Sequence, residues 1–326
     1  MKRRDFITNT AKAGMVMAMT TTATKSLASS KIESAARNVE ADSKKFKMKF
    51  APNIYNWTGL FPVSYKGMSI SEKIDFLGAL GFTAFEDNDF LGRPESERAE
   101  IVESLKRNNM EMGVFTVAFG FSNVMTLNRV GSDRKSDAKK ALEFSAKKFE
   151  EAANVAKQIG AKWVTVVPGL SHYAFYDGDI FSNVLMHLRS GLKYFEPKGI
   201  TMVLEPLNHI NHAGLWLKNT AQATALCKAT GSQNCKILFD VYHQQTEEGN
   251  LFRNIEEHFE EIAYFHLGDV PHRTEPLSGE INYKNLIKHI AGLGYKGILG
   301  MEHSLSQRSL EGERKLMRAY REIDIA

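Results

Sequence analysis

At 326 residues, 43% of them hydrophobic, the chain is long enough to bury a large core, either as one barrel-sized domain or as two smaller ones. Its formal net charge of +4 sits at one end: residues 1–30 carry Lys2, Arg3, Arg4, Lys12 and Lys25 against Asp5 alone, and basic and acidic residues balance in the rest. A neutral body excludes the basic footprint of a nucleic-acid-binding protein, and two cysteines, Cys227 and Cys235, are too few for a cysteine framework.

In chain order, the first segment resembles a twin-arginine export signal. Lys2-Arg3-Arg4-Asp5-Phe6-Ile7 precedes a weakly hydrophobic stretch from Ala11 to Ala23, and Ser26-Leu27-Ala28 offers a small-residue cleavage site. The stretch is too short and too polar to span a bilayer, so no stable membrane insertion is expected and the mature protein is expected in the periplasm. Residues 31–46 are polar and charged and read as a linker, which leaves 47–326 as a single domain.

From there short apolar runs alternate with helical ones. The predicted strands are Met48–Ile54, Ala84–Glu86, Met112–Val117, Trp163–Val167, Thr201–Glu205, Lys236–Asp240, Ala263–Leu267 and Gly297–Glu302. Most lack clean alternation, as parallel strands covered on both faces do. The predicted helices cover Ser71–Leu80, Glu95–Asn108, Ser136–Ile159, Asp179–Phe195, Thr220–Ala229, Leu251–Glu260, Tyr283–Ala291 and Ser309–Ile323. In the third of these, Ala138, Leu142, Phe149, Ala152, Ala156 and Ile159 fall at steps of three and four, with Ser145 in the gap and Gly160 as the cap. Cys227 falls in a helix and Cys235 at a strand start, where both read as small buried side chains. Eight strand–helix pairs predict an α/β fold of the (β/α)8 TIM-barrel type; a doubly wound sheet would need a GxGxxG loop, and none follows a strand.

In such a barrel the reactive groups sit where strands run into helices. The last four strands end in Glu205-Pro206-Leu207-Asn208, Asp240-Val241-Tyr242-His243, His266-Leu267-Gly268-Asp269 and Glu302-His303. Glu205, Asp240, His266 and Glu302 lie 35, 26 and 36 residues apart, about one strand–helix unit each, so they converge on one mouth. Three carboxylates and one imidazole brought together there need a cation. A mostly oxygen donor set suits one divalent ion, Mn²⁺, Mg²⁺ or Co²⁺. Glu86, Asp87 and Asp89, after the second strand, are candidates for substrate hydroxyls. So, less strongly, are His172, His209 and His212 in later loops. Trp57, Phe61, Phe119, Tyr173, Phe175 and Trp216 could stack on a sugar or pack the loops.

These residues carry a family resemblance. Glu205-Pro206-Leu207-Asn208, Asp240 with His243, His266, Gly279-Glu280-Ile281-Asn282-Tyr283 and Glu302 resemble the xylose-isomerase-like barrel superfamily. The hydroxypyruvate isomerases are nearest and the ketose 3-epimerases further off, over roughly residues 47–305. The resemblance implies one divalent metal on Glu205, Asp240, His266 and Glu302, with Glu205 and Glu302 exchanging protons with substrate. It also implies that His243, Arg273 and Asn208 contact substrate. Two positions depart from the hydroxypyruvate isomerase pattern: His266 stands where glutamine is frequent, and His272-Arg273 replaces Gly-Arg.

The implied reaction moves a carbonyl along a small sugar or keto-acid, or inverts a carbon beside one, through an enediolate. A lyase or dehydratase on the same metal site shares the enolate step, and a non-catalytic sugar-binding barrel would tolerate loss of either glutamate. The related three-zinc endonuclease needs two histidines from the first half of the barrel, and the first histidine of this chain is His172. The sequence leaves homo-oligomerisation open.

Overall fold

The computed structural model describes residues 30–40, 44–54, 59–117, 119, 122–131, 135 and 137–325; the predicted export segment and Trp57 lie outside them. Eight strands follow in order: β1 (Lys49–Pro52), β2 (Ala84–Phe85), β3 (Glu111–Met112), β4 (Trp163–Val166), β5 (Thr201–Leu204), β6 (Cys235–Asp240), β7 (Ile262–His266) and β8 (Ile298–Met301). Six are hydrogen-bonded in the order β1-β8-β7-β6-β5-β4, and β2 pairs with β3. Parallel bridges Asn53–Glu86 and Thr116–Thr165 join the two sets, so the eight strands form one ring. The third strand is shorter than predicted and begins one residue earlier, because beyond Gly113 the chain keeps only the Thr116 bridge.

A period of two organises the interior. Ala51, Ala84, Val114, Val203, Leu238, Tyr264 and Ile298 form one buried cluster inside the ring, while Phe50, Phe85, Met202, Leu204, Ile237, Phe239, Phe265 and Leu299 join the larger core between strands and helices. Two residues beyond the interior layer, in the same phase, come Asn53, Glu86, Glu205, Asp240, His266 and Gly300, and then Glu302. The mouth is therefore built by the strands that fill the floor.

The helices are α1 (30–39), α2 (Ile70–Ala79), α3 (Glu95–Asn108), α4 (Val124–Leu127), α5 (Ala138–Ile159), α6 (Asp177–Phe195), α7 (Thr220–Thr230), α8 (Val241–Glu247), α9 (Leu251–His258), α10 (Tyr283–Gly292) and α11 (Leu310–Ile323). Helix α1 corrects the predicted linker and the domain boundary at 47. Ile32, Ala36 and Val39 are buried at helical spacing, and Glu40 pairs with Arg321 of α11 at 2.8 Å. The charged residues between those three apolar positions had hidden the period. Cys227 and Cys235 lie where predicted, buried as thiols with their sulfurs 3.9 Å apart. Among the described residues no helix is long and apolar enough to cross a membrane.

The buried face of α5 is rotated from the predicted stripe: Ala138 is exposed and Leu142 half-buried, whereas Ala141, Ser145, Phe149, Ala152, Ala153 and Ala156 are buried. Gly160 caps the helix with φ 74°, a conformation glycine adopts without a Cβ penalty. Ser145 is more than a gap. Its Oγ lies 2.6 Å from Nδ1 of the fully buried His187 of α6, whose Nε2 lies 2.9 Å from Asn128 Oδ1. Burial pushes His187 down to about 4 from its ordinary 6.5. The unfolded chain therefore takes up a proton at this site between pH 6.5 and about 4 that the native state refuses. Stability contributed above pH 6.5 is lost as pH falls through that window, by on the order of 3 kcal/mol in full. Denaturant titrations at pH 7 and pH 4.5 are expected to show this loss, with a shallower pH dependence in His187→Gln. An unchanged slope in the variant would remove His187 as the cause.

Candidate metal centre and active site

Glu205, Asp240, His266 and Glu302 each offer a ligand atom, these atoms all lie within 4.8 Å of one another, and all four residues are buried. The strands alone set this convergence, since Asp240 is paired in register with His266, and His266 with Gly300. His266 turns Nδ1 toward the carboxylates: 2.9 Å to Glu302 Oε2, 3.3 Å to Glu205 Oε1 and 4.0 Å to Asp240 Oδ2. Asp240 has two tasks. Its Oδ1 accepts from the backbone N–H of Tyr242 and His243 at 2.8 and 3.2 Å, capping α8, which leaves Oδ2 directed at the cluster.

The electrostatics report a strongly negative cavity. Burial pushes Glu205 up, and the charge of Glu302 adds to it, to about 7. Burial also disfavours ionised Glu302, but the charges of His266 and Arg273 outweigh it and hold that carboxyl below the usual carboxylate range. Burial lowers the basicity of His266, yet Glu86 and Glu302 together raise it well above the ordinary imidazole value. A field that draws a proton onto this imidazole is one that could hold a cation instead, and the donor set of three carboxylate oxygens and one imidazole nitrogen fits a single divalent ion.

Arg273 reaches the same cluster, with one guanidinium nitrogen 2.6 Å from both Asp240 Oδ2 and Glu302 Oε2 and its plane over the Tyr242 ring. Its backbone is left-handed, φ 52°. His243 is fully buried, and its Nδ1 faces the side-chain amide of Asn208 at 2.7 Å and receives Asn208 N–H at 3.3 Å. That leaves the proton on Nε2, which has no hydrogen-bond partner among the described residues and lies 3.7 Å from Asp240 Oδ2.

Other expectations move. Asn208, predicted to touch substrate, spends its amide on His243 and, through Oδ1, on Asn211 N–H at 2.9 Å. Glu86, predicted for substrate hydroxyls, has no exposure. Its Oε1 accepts from Asn53 and lies 2.9 Å from His266 Nε2, and its Oε2 accepts from Tyr264. Asp87 is gripped by Arg93, while Asp89 is exposed beside Gly92. His209 is exposed and paired with Glu247, His172 stacks on Tyr173, and His212 lies with its ring 5.2 Å from that of His243. Phe61, Phe119 and Trp216 pack the loops, and Tyr173 stands 97% exposed. Sequence reasoning missed Asn88, whose amide donates to Glu302 Oε1. Its only signal was a place two residues beyond Glu86.

A closed (β/α)8 barrel with a buried carboxylate–imidazole cluster at the C-terminal ends of β5 to β8 defines the class: a barrel whose chemistry is gathered at one mouth around a candidate divalent-cation site. Within that class the chain belongs to the xylose isomerase-like TIM barrel family, which it matches over residues 74–323. It is 32% identical over 170 residues to hydroxypyruvate isomerase of Escherichia coli K12, an alignment spanning 52% of this chain and 66% of that one. It is 27% identical to 2-oxo-tetronate isomerase of Cupriavidus necator, over 71% of this chain and 86% of the relative. Among solved structures, the E. coli 3-keto-D-glucoside 4-epimerase superposes with TM-score 0.69 at 18% identity, covering 84% of this chain and 99% of that one, a likeness of fold. These curated relatives are isomerases, which supports an enzyme, whereas the solved structures, among them an AP endonuclease of family 2 from Brucella melitensis with TM-score 0.68 at 22% identity, show likeness of fold alone.

Proposed function

We propose that the protein is a metal-dependent isomerase or epimerase of small hydroxy-carbonyl compounds, sugars or keto-acids, working through an enediolate. The observation that carries this reading is the buried convergence of Glu205, Asp240, His266 Nδ1 and Glu302 within 4.8 Å. When bound there, a divalent cation supplies Lewis-acid stabilisation of a developing oxyanion, worth several kcal/mol.

The chain's own residues supply the rest. Glu205 and Glu302 follow β5 and β8 and face the same cavity, and in the metal-free cluster their environments push them apart, burial and the charge of Glu302 raising Glu205 while His266 and Arg273 hold Glu302 low. An acid and a base facing one small substrate need this difference. The ionised carboxylate takes a proton from the carbon beside the carbonyl, leaving the electron pair in the enediolate. A proton returned to the neighbouring carbon, with the hydroxyl proton passing to the former carbonyl oxygen, completes an isomerisation; one returned to the opposite face of the same carbon completes an epimerisation. His243 Nε2–H and the Arg273 guanidinium are donors for substrate oxygens, the first because it is buried without a partner, the second because it stays charged at any working pH.

The test is turnover of hydroxypyruvate, 2-oxo-tetronate, free ketoses and 3-keto-glycosides in D₂O with Mn²⁺, Mg²⁺ or Co²⁺. Product from at least one of them is expected to carry solvent deuterium on the reacting carbon; partial incorporation fits a single base serving both carbons. Conversion without deuterium over many turnovers would sink the enediolate mechanism.

A further inference from the structure

Glu86 is buried too well to meet a substrate, and the way it is buried points elsewhere. His266 directs Nδ1 at three carboxylates, so the nitrogen left over is Nε2, which is buried with its N–H not aligned on any acceptor among the described residues and has Glu86 Oε1 within ion-pair distance at 2.9 Å. An imidazole can offer a lone pair to a cation at one nitrogen only if its proton sits on the other, and a carboxylate behind the ring holds it there. Glu86 is itself held. Asn53 donates to Oε1 at 2.9 Å and Tyr264 O–H to Oε2 at 2.9 Å. Its backbone carries the bridge that closes β1 to β2, with Glu86 N–H to Pro52 O at 3.1 Å and Ile54 N–H to Glu86 O at 3.2 Å.

The neighbouring strands leave space for this arrangement. A Cβ at Gly300 would stand 2.1 Å from Glu86 Oε2 and 2.6 Å from His266 Cδ2, and one at Gly113 would stand 2.3 Å from the Tyr264 hydroxyl oxygen. All three contacts are shorter than real Cβ atoms show, so glycine in β8 and just beyond β3 is what lets Tyr264, Glu86 and His266 stack inside the ring. A carboxylate buried only to fill the barrel would need neither glycine nor a hold on a ligand's far nitrogen.

We propose that Glu86 is the positioning residue of the metal centre: it holds the Nε2 proton of His266 and so presents Nδ1 as a ligand, with Tyr264 and Asn53 fixing Glu86 in turn. The inference rests on the metal reading above. It is tested with the full chain stripped of divalent ions and titrated with Mn²⁺ by calorimetry. Glu86→Gln is expected to bind Mn²⁺ about 10- to 100-fold more weakly than the unaltered protein, the usual scale for a lost partner behind a ligand. In the Co²⁺-loaded protein the shifted Nε2–H resonance of His266 is expected to exchange slowly with solvent, and faster in the variant. Tyr264→Phe, which leaves Glu86 in place, is expected to weaken Mn²⁺ several-fold, and it decides the matter if Glu86→Gln does not fold. Unaltered Mn²⁺ affinity in the folded variant, with tight binding by the parent, would overturn the role of Glu86 and leave the metal reading intact. No Mn²⁺, Mg²⁺ or Co²⁺ binding by the parent would overturn both.

Discussion

Glu302→Gln and Glu205→Gln are each expected to lower kcat by about 10²- to 10⁴-fold at saturating metal, the range for a lost acid–base group. The amide keeps the volume and some hydrogen bonds of the carboxylate but can neither take nor deliver the proton. For Glu302 the change also strips negative charge from a point 2.6 Å from Arg273 and 2.9 Å from His266 Nδ1, so metal affinity should fall as well. Activity is therefore compared at Mn²⁺ concentrations that saturate each variant, and the fold is checked by circular dichroism. The two losses should not add in the double variant, because one transfer without the other completes no turnover. A single variant within tenfold of the parent at saturating metal would remove that residue from the proton path.

Treating the purified protein with a chelator is expected to abolish activity, and returning Mn²⁺ to restore it. Four donor groups buried together cost the fold both desolvation and mutual repulsion, and among the described residues Arg273 and a protonated His266 oppose the carboxylates at ion-pair distance. A divalent ion relieves that repulsion, so binding should also stabilise: about 2.7 kcal/mol at a metal concentration one hundred times Kd. Thermal scans of stripped and Mn²⁺-loaded protein should differ by several degrees. Equal melting temperatures together with full activity in chelator would count against a metal centre altogether.

The barrel and the four cluster residues were legible because both depend on spacing. Strand ends about one strand–helix unit apart reach the same height around a closed ring, whatever else surrounds them. The two-residue step from Val203 to Glu205, Leu238 to Asp240 and Tyr264 to His266 was equally present in the sequence, and so was the step from Ala84 to Glu86. Read as phase, that last step places Glu86 inside the ring and not on a substrate-facing loop. Helix α1 was lost for the opposite reason. Three apolar residues among polar and charged ones, Ile32, Ala36 and Val39, become a helix face only when α2, beside Ile32, and α11, beside Val39, lie ready to meet it.

By itself the sequence determined the eight-unit barrel, the mouth at which its chemistry gathers, and the identity of the donors that meet there. Those follow from chain-local periods and from residue type. Only the tertiary structure decided which nitrogen of His266 faces the carboxylates, that Arg273 bridges Asp240 and Glu302, that Asn208 serves His243, and that Glu86 stands behind the imidazole. The physical reason is that each of these depends on which side chains meet inside the barrel, between residues 26 to 180 positions apart. Spacing along the chain fixes how high a residue stands on its strand, and only packing fixes what it touches there.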